Sequence, residues 1–174
     1  LDLWIDSDVP VGAGVSSSAA LLAAVCVAAA DLWALSTTRE AMVPICQRAE
    51  NVVAGAPTGT LDQTAALLSV ADAALLVDFG AGTVEVVSLG LEAAGLAVLV
   101  IDSGVRHDHA TGAYGIRRRE CEEAASLLGV AMLADVPVAG LDAALEGLPA
   151  DLAARARHVV TDTERCREAA RAVR

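Results

Sequence analysis

The stretch PVGAGVSSSAA at residues 10–20 constrains this chain most, because it leads from a glycine-rich turn directly into a long apolar helix. Glycine lets backbone N–H groups come close to a ligand, and a helix N-terminus carries a partial positive charge. Together these features form a site for an anion, most simply a phosphate. We therefore predict a phosphate-binding loop, followed over residues 17–34 by a central helix that is buried on most of its faces.

The two familiar phosphate loops do not fit this stretch. A Walker A loop requires a lysine, and this chain has none, since all 12 of its basic residues are arginine. The dinucleotide fingerprint G-x-G-x-x-G fails because Ser17 stands at the position of its third glycine. The stretch alone therefore leaves two interpretations open, a different kind of phosphate loop or an ordinary helix start with a serine cap.

Composition and charge narrow the class of protein. A formal net charge of −11 disfavours a nucleic-acid binder, and 55% hydrophobic residues favour a globular core. No stretch is long and apolar enough to predict a membrane span. The four cysteines are far apart in sequence and lack the spacing of a zinc site or a disulfide framework, which favours a cytoplasmic location. We expect neither a nucleic acid nor a membrane as a partner.

The remaining patterns predict a mixture of helices and strands. Alternation in LDLWIDSD predicts a strand over residues 1–8, and its immediate start suggests part of a longer chain. The spacing of Thr37 and Glu40 fits a capping box, which predicts a second helix to about residue 54. The other predicted elements are a helix over 61–69, strands over 74–79, 83–89 and 96–103, and helices over 111–129 and 151–174.

Three blocks in order carry a resemblance to a known family. The first, residues 10–20, resembles the phosphate loop of the GHMP kinases. CQRAENVVAGAPTGTLDQ at 46–63 and VRHDHATGAYGIRRRECEEAASLLG at 105–129 are similar to two segments of the galactokinases in that family. There are two departures, because Asn51 stands where galactokinases usually have histidine and Leu61 where they usually have methionine. With RARHVV at 155–160, the resemblance covers nearly all of the chain.

The resemblance implies an α+β GHMP-kinase fold. Residues 1–103 would be part of the N-terminal nucleotide-binding domain, whose fold is like that of domain 2 of ribosomal protein S5. Residues 104–174 would begin a ferredoxin-like C-terminal domain. The implied reaction is ATP-dependent phosphorylation of galactose at its anomeric hydroxyl, which gives galactose 1-phosphate and ADP. The implied cofactors are ATP and Mg²⁺.

The resemblance also implies roles for individual residues. Ser18 and Glu50 would bind Mg²⁺, and Asp62 would be the catalytic base. Gly59 and Tyr114, together with Asp62, would contact the sugar. The ATP phosphates would lie against Gly12, Ala13, Gly14, Val15, Ser16, Ser17 and Ser18. These residue types suit phosphoryl transfer, which needs backbone donors for phosphate, oxygen ligands for Mg²⁺ and a carboxylate for the hydroxyl proton.

Other interpretations remain open at this point. Taken singly, Glu50 and Asp62 suit a helix surface and a helix start, and Tyr114 suits packing. A kinase for arabinose or galacturonate would share every motif found here. A non-catalytic sugar sensor and a purely structural segment are candidates from other classes. The sugar-clamping and C-terminal glycine-rich motifs of galactokinases are not in this sequence, so we expect the chain alone to be inactive and to self-associate.

Two further clusters are not assigned to the site. Arginines 106 and 117–119 are expected to form a solvated face or ion pairs rather than a catalytic group. His107 and His109 have the spacing of a chelating pair, but we expect hydrogen-bonding loop residues there. Cys121 is expected to pack within its helix, between two solvated glutamates.

Overall fold

The computed structural model of this protein describes residues 2–101 and 113–174. Within these ranges the chain forms six α-helices, one antiparallel pair of strands and a 3₁₀ turn at Leu133–Asp135. In chain order the elements are α1 (Ser17–Leu32), α2 (Arg39–Val52), α3 (Leu61–Leu68), β1 (Ala73–Asp78), β2 (Thr83–Ser88), α4 (Ala113–Leu128), α5 (Leu141–Leu145) and α6 (Ala150–Ala172). None of the described helices is both long enough and apolar enough to cross a membrane.

The described residues form two compact units. The first consists of 2–69 and 92–101, and the second of 70–91 and 113–174. In the first unit α1, α2 and α3 pack on one another around a core of Ala23, Ala30, Met42, Val43, Cys46 and Leu67. The predicted domain boundary at 103/104 falls outside the described residues and stays a prediction.

The second helix begins one residue later than its sequence pattern predicts. Thr38 is the N-cap of α2, and its hydroxyl accepts a hydrogen bond from the amide of Ala41. The capping box predicted from Thr37 and Glu40 is therefore wrong. Two adjacent threonines both suit this position, and Thr38 has the extended backbone that is typical of a cap.

The prediction that α1 is buried on most faces is wrong for the described structure. Its buried residues, Ala19, Ala23 and Ala30, form a single stripe along one face. Leu21 and Leu32 are exposed, although the helix is apolar nearly all round. Among the described elements α2 and α3 make the main contacts with this helix, and several of its apolar side chains outside those contacts face solvent.

The strand predictions hold for one hairpin and fail elsewhere. The predicted strands 74–79 and 83–89 are confirmed as β1 and β2, which pair from Ala73 opposite Ser88 to Asp78 opposite Thr83. Residues 2–8 and 96–101 are not strands, because no described segment pairs with either of them. Their apolar side chains are exposed as a result, and Trp4 retains 94% of its accessible surface.

The second unit is built around α6. This helix packs on α4, on α5 and on β1, around the buried side chains Ala124, Ala125, Leu133, Val136, Leu141, Leu145, Leu152, Ala156 and Val160. Cys121 packs against this cluster, and Arg118 forms an ion pair with Glu122, as the sequence predicted. The 3₁₀ turn and α5 both lie between the helices predicted over 111–129 and 151–174, where the sequence pattern predicts no element.

Candidate functional site

The predicted phosphate loop has a distinctive backbone. Gly12, Gly14 and Ser16 have φ values of 74°, 75° and 58°, so every second residue is left-handed. Successive N–H groups in such turns can point to one side and form a concave anion site. The left-handed conformation is easy for glycine but unfavourable for Ser16, which immediately precedes α1. The loop therefore has the geometry of an anion site at the head of a helix.

The first turn of α1 has no serine cap within the described chain. Ser16 makes no side-chain capping bond to the described chain, so the interpretation as an ordinary serine cap is wrong. The first backbone bond of the helix runs from the Ala20 N–H to the Ser16 carbonyl at 3.0 Å. The preceding N–H groups lie at the positive end of the helix dipole, which favours a negatively charged ligand.

Ser18 and Glu50 meet across two helices. Ser18, in the first turn of α1, donates its hydroxyl proton to Glu50 Oε1 with an oxygen–oxygen distance of 2.6 Å. Glu50 lies near the end of α2 and is only 6% exposed. The interpretation of Glu50 as a surface residue is therefore wrong, since a buried carboxylate needs strong hydrogen-bond partners. The two residues predicted to share a metal ion are in direct contact.

Two residues that the sequence analysis missed complete the surroundings of Glu50. Its second oxygen, Oε2, accepts hydrogen bonds from Thr58 Oγ1 at 3.1 Å and from Gln63 Nε2 at 2.5 Å. Gln63 is fully buried, which is unusual for an uncharged amide side chain without a structural or functional task. Its place at the end of the second family-like block was the signal that could have found it.

The loop between α2 and α3 is folded back by side chains of α2. Asn51 Oδ1 accepts the Thr58 N–H at 3.0 Å, and Gln47 Nε2 donates to the Thr58 carbonyl at 3.2 Å. Gly55 supports the reversal with a φ of 70°. Asn51, one of the two departures from the galactokinase pattern, therefore helps to bring Thr58 to Glu50.

The other predicted site residues have different surroundings. Asp62 is exposed in the first turn of α3, next to the buried Gln63, and Gly59 lies in the loop just before that helix. Tyr114 is 56% exposed in the first turn of α4 and belongs to the second unit. The structure thus brings Ser18 and Glu50 together in the first unit, which also contains the loop, Gly59 and Asp62. The roles of these residues stay predictions.

Some predicted features cannot be placed. Arg106, His107 and His109 lie outside the described residues, as does the start of the predicted helix at 111. Among the residues that are described, no group of three or more His, Cys, Asp or Glu side chains is arranged to hold a metal ion. Any cation at the Ser18–Glu50 pair would therefore need further ligands from a substrate or from water.

Known proteins resemble this chain in the segments that contain the predicted site residues. Residues 1–70, which contain the loop, Ser18, Glu50 and Asp62, match the GHMP kinases N terminal domain. Galactokinase from Streptomyces coelicolor is 47% identical over 166 residues, which are 94% of this chain and 43% of that protein. The chain belongs to the GHMP kinase family.

Further relatives of this GHMP kinase chain come from distant organisms. Galactokinase from Bos taurus is 40% identical over 168 residues, which are 97% of this chain and 42% of that protein. The crystal structure of Lactococcus lactis galactokinase complexed with galactose superimposes with a TM-score of 0.82 at 27% identity, over 96% of this chain and 44% of that one. The predicted GHMP-kinase fold is confirmed. The chain spans less than half the length of these relatives.

Proposed function

We propose that the complete protein to which this chain belongs transfers the γ-phosphoryl group of ATP to the anomeric hydroxyl of galactose, which gives galactose 1-phosphate and ADP. The observation that carries this proposal is the Ser18–Glu50 contact at the head of α1, directly after the left-handed loop. Phosphoryl transfer needs phosphate donors and oxygen ligands side by side, and this is where the chain brings the two together. The sequence identity to galactokinases supports galactose as the acceptor.

The loop and the helix end bind the phosphates of ATP in this proposal. The positive charge that binds the phosphates does not come from a lysine of this chain, because the chain has none. The N–H groups of residues 12–18 and the dipole of α1 supply it, because they present positive charge without a cationic side chain. Gly12 and Gly14 also lack side chains that would keep a phosphate away from the backbone.

The Ser18–Glu50 pair fits Mg²⁺ by the chemistry of its donors. The Ser18 hydroxyl directs its proton to Glu50, so its lone pairs stay available, and Glu50 adds carboxylate oxygens. Mg²⁺ commonly uses one or two protein ligands together with substrate phosphates and water. Bound there, the ion would supply positive charge that offsets the charge of the phosphates. Ser18 and Glu50 would hold it.

The proton of the sugar hydroxyl goes to Asp62 in this proposal. Asp62 is exposed, so a substrate can reach its carboxylate, and it follows Gly59 and Thr58 within the same short segment. Gly59 lets the sugar approach the backbone, and the exposed Tyr114 offers a ring and a hydroxyl for a further sugar contact. We also infer a cytoplasmic location, which the four free cysteines and the use of ATP support.

A direct assay tests the proposal. The complete protein should be given Mg²⁺ and ATP with galactose, arabinose or galacturonate, and the sugar 1-phosphate measured. We expect galactose to have the highest kcat/KM of the three. Higher values for another sugar would reassign the substrate. Binding of ATP and galactose without any turnover would overturn the proposal in favour of a sugar sensor.

A further inference from the structure

The Glu50 carboxylate is bound on both of its oxygens by groups from different elements. Oε1 accepts from Ser18 on α1, while Oε2 accepts from Thr58 in the loop and from Gln63 on α3. The Thr58 hydroxyl has one proton and two acceptors in reach, Glu50 at 3.1 Å and Asn51 at 3.2 Å. Thr58 can thus direct its proton to either acceptor, whereas Gln63 Nε2 donates to Oε2 of Glu50.

The amide of Gln63 faces Glu50 with its nitrogen for electrostatic reasons. An amide oxygen against a carboxylate oxygen would repel it, so the NH₂ group must point there. This orientation leaves Gln63 Oε1 buried and without a hydrogen-bond partner among the described residues. A buried acceptor without a donor is unfavourable, and an apolar side chain of similar size would avoid that cost. Keeping glutamine here makes physical sense if its N–H group has a task.

We propose that Gln63 is a positioning residue for the metal pair, which rests on the proposed function above. Its Nε2 holds Oε2 of Glu50 in place, and this keeps Oε1 turned towards Ser18. Gln63 does not touch the substrate in this role and acts only through Glu50.

A fixed carboxylate matters more for Mg²⁺ than for a larger cation. Mg²⁺ demands near-ideal octahedral geometry with short bonds, whereas Ca²⁺ accepts irregular geometry and longer bonds. If Gln63 fixes Glu50, its loss lets the carboxylate turn away from Ser18. Affinity for the Mg²⁺ complex of the nucleotide should then fall further than affinity for the Ca²⁺ complex. A residue that only fills space would not change this preference.

The test compares two glutamines in the same neighbourhood. Gln63→Met removes the contact with Glu50 and keeps the length of the side chain. Gln47→Met is the matched control, because Gln47 donates to the Thr58 backbone and not to Glu50. In the complete protein, calorimetry should measure the affinities for the Mg²⁺ and Ca²⁺ complexes of a non-hydrolysable ATP analogue. We expect Gln63→Met to weaken Mg²⁺ complex binding about 10- to 100-fold and Ca²⁺ complex binding several-fold less.

Three outcomes would overturn the inference. The first is that Gln63→Met leaves the preference for the Mg²⁺ complex over the Ca²⁺ complex unchanged. The second is that Gln47→Met changes this preference as much as Gln63→Met does. The third applies if Gln63→Met does not fold, and it is that Thr58→Val leaves the preference unchanged. Thr58→Val removes the weaker bond to the same oxygen, so a smaller change in the same direction is expected. The binding assay uses no sugar. It can therefore contradict the role of Gln63 without contradicting galactose phosphorylation, and the reverse also holds.

Discussion

At the scale of the residue, two acidic side chains of the first unit have opposite surroundings. Glu50 is buried and accepts hydrogen bonds from Ser18, Thr58 and Gln63. Asp62 is exposed in the first turn of α3. A carboxylate with several partners is held still, which suits a metal ligand, while an exposed one can reach a substrate proton. The two surroundings therefore agree with two different roles.

The role of Asp62 can be tested by replacing its carboxylate with an amide of the same shape. In the complete protein, Asp62→Asn should lower kcat for galactose by roughly two to four orders of magnitude, because an amide cannot accept the hydroxyl proton. The matched control is Asp151→Asn, since Asp151 is also exposed in the first turn of a helix, α6. It should leave kcat within about twofold. Equal effects of the two changes would contradict a catalytic role for Asp62.

The sequence predicted these residues unevenly. Ser18 and Glu50 were predicted as a pair because each lies in a recognisable block, and their contact agrees with that prediction. Thr58 and Gln63 were missed, because their contact with Glu50 depends on how the intervening loop folds back. That reversal is set by Asn51 bonding to Thr58, and no local sequence pattern encodes it. Hydrogen bonds between loops and helices are tertiary features, which periodicity does not report.

At the scale of the element, helices were predicted better than strands. Helical hydrogen bonds join residues four apart, so the apolar spacing within one segment already indicates α1, α3, α4 and α6. A strand needs a neighbour elsewhere in the chain, which the segment does not reveal. The hairpin of β1 and β2 succeeded because its partners are adjacent in sequence. Residues 2–8 and 96–101 have strand patterns but no described partner.

The contact between α1 and α2 gives a pH-dependent stability. Burial raises the pKa of the Cys46 thiol to about 11, with a smaller contribution from neighbouring Cys26. An unfolded cysteine ionises near pH 8.5. The folded state therefore keeps a proton that the unfolded state loses, and this contribution to stability declines as the pH rises from about 8.5 to 11.

Denaturation measurements can isolate this effect. Between pH 8.5 and 10, the free energy of unfolding should fall by about 1 kcal/mol per pH unit because of Cys46. Cys46→Ala should remove that part of the slope, although it lowers stability at neutral pH by leaving a small cavity. Cys166→Ala is the control, since Cys166 is exposed on α6. Identical slopes in wild type and Cys46→Ala would refute the explanation.

At the scale of the whole molecule, the described chain exposes much apolar surface. Trp4, Leu99 and Ile101 each keep more than three quarters of their accessible area, and one side of α1 is also uncovered. Large apolar patches are uncommon on the surface of monomeric proteins, and exposed apolar side chains tend to be covered by another surface. The described helices and the hairpin are thus formed, while part of the apolar surface stays exposed to solvent.

The 174-residue chain by itself should therefore self-associate and should not phosphorylate galactose. Sedimentation velocity should show species larger than a monomer, increasing with concentration. The chain has two tryptophans, Trp4 and Trp33, and both are exposed, so their emission should shift to shorter wavelength as association buries them. Trp4→Gln should weaken association. A monomer with the galactokinase activity of the complete protein would disprove this prediction.

The alternating backbone of the predicted phosphate loop also determines which of its positions tolerate a side chain. Residues 12 and 14 need glycine, because any side chain with a Cβ costs about 1–2 kcal/mol in the left-handed conformation. Ala13 and Val15 are free of that restriction, because their φ angles are not positive. Ser16 is left-handed without being glycine, so Ser16→Gly is expected to relieve that backbone strain.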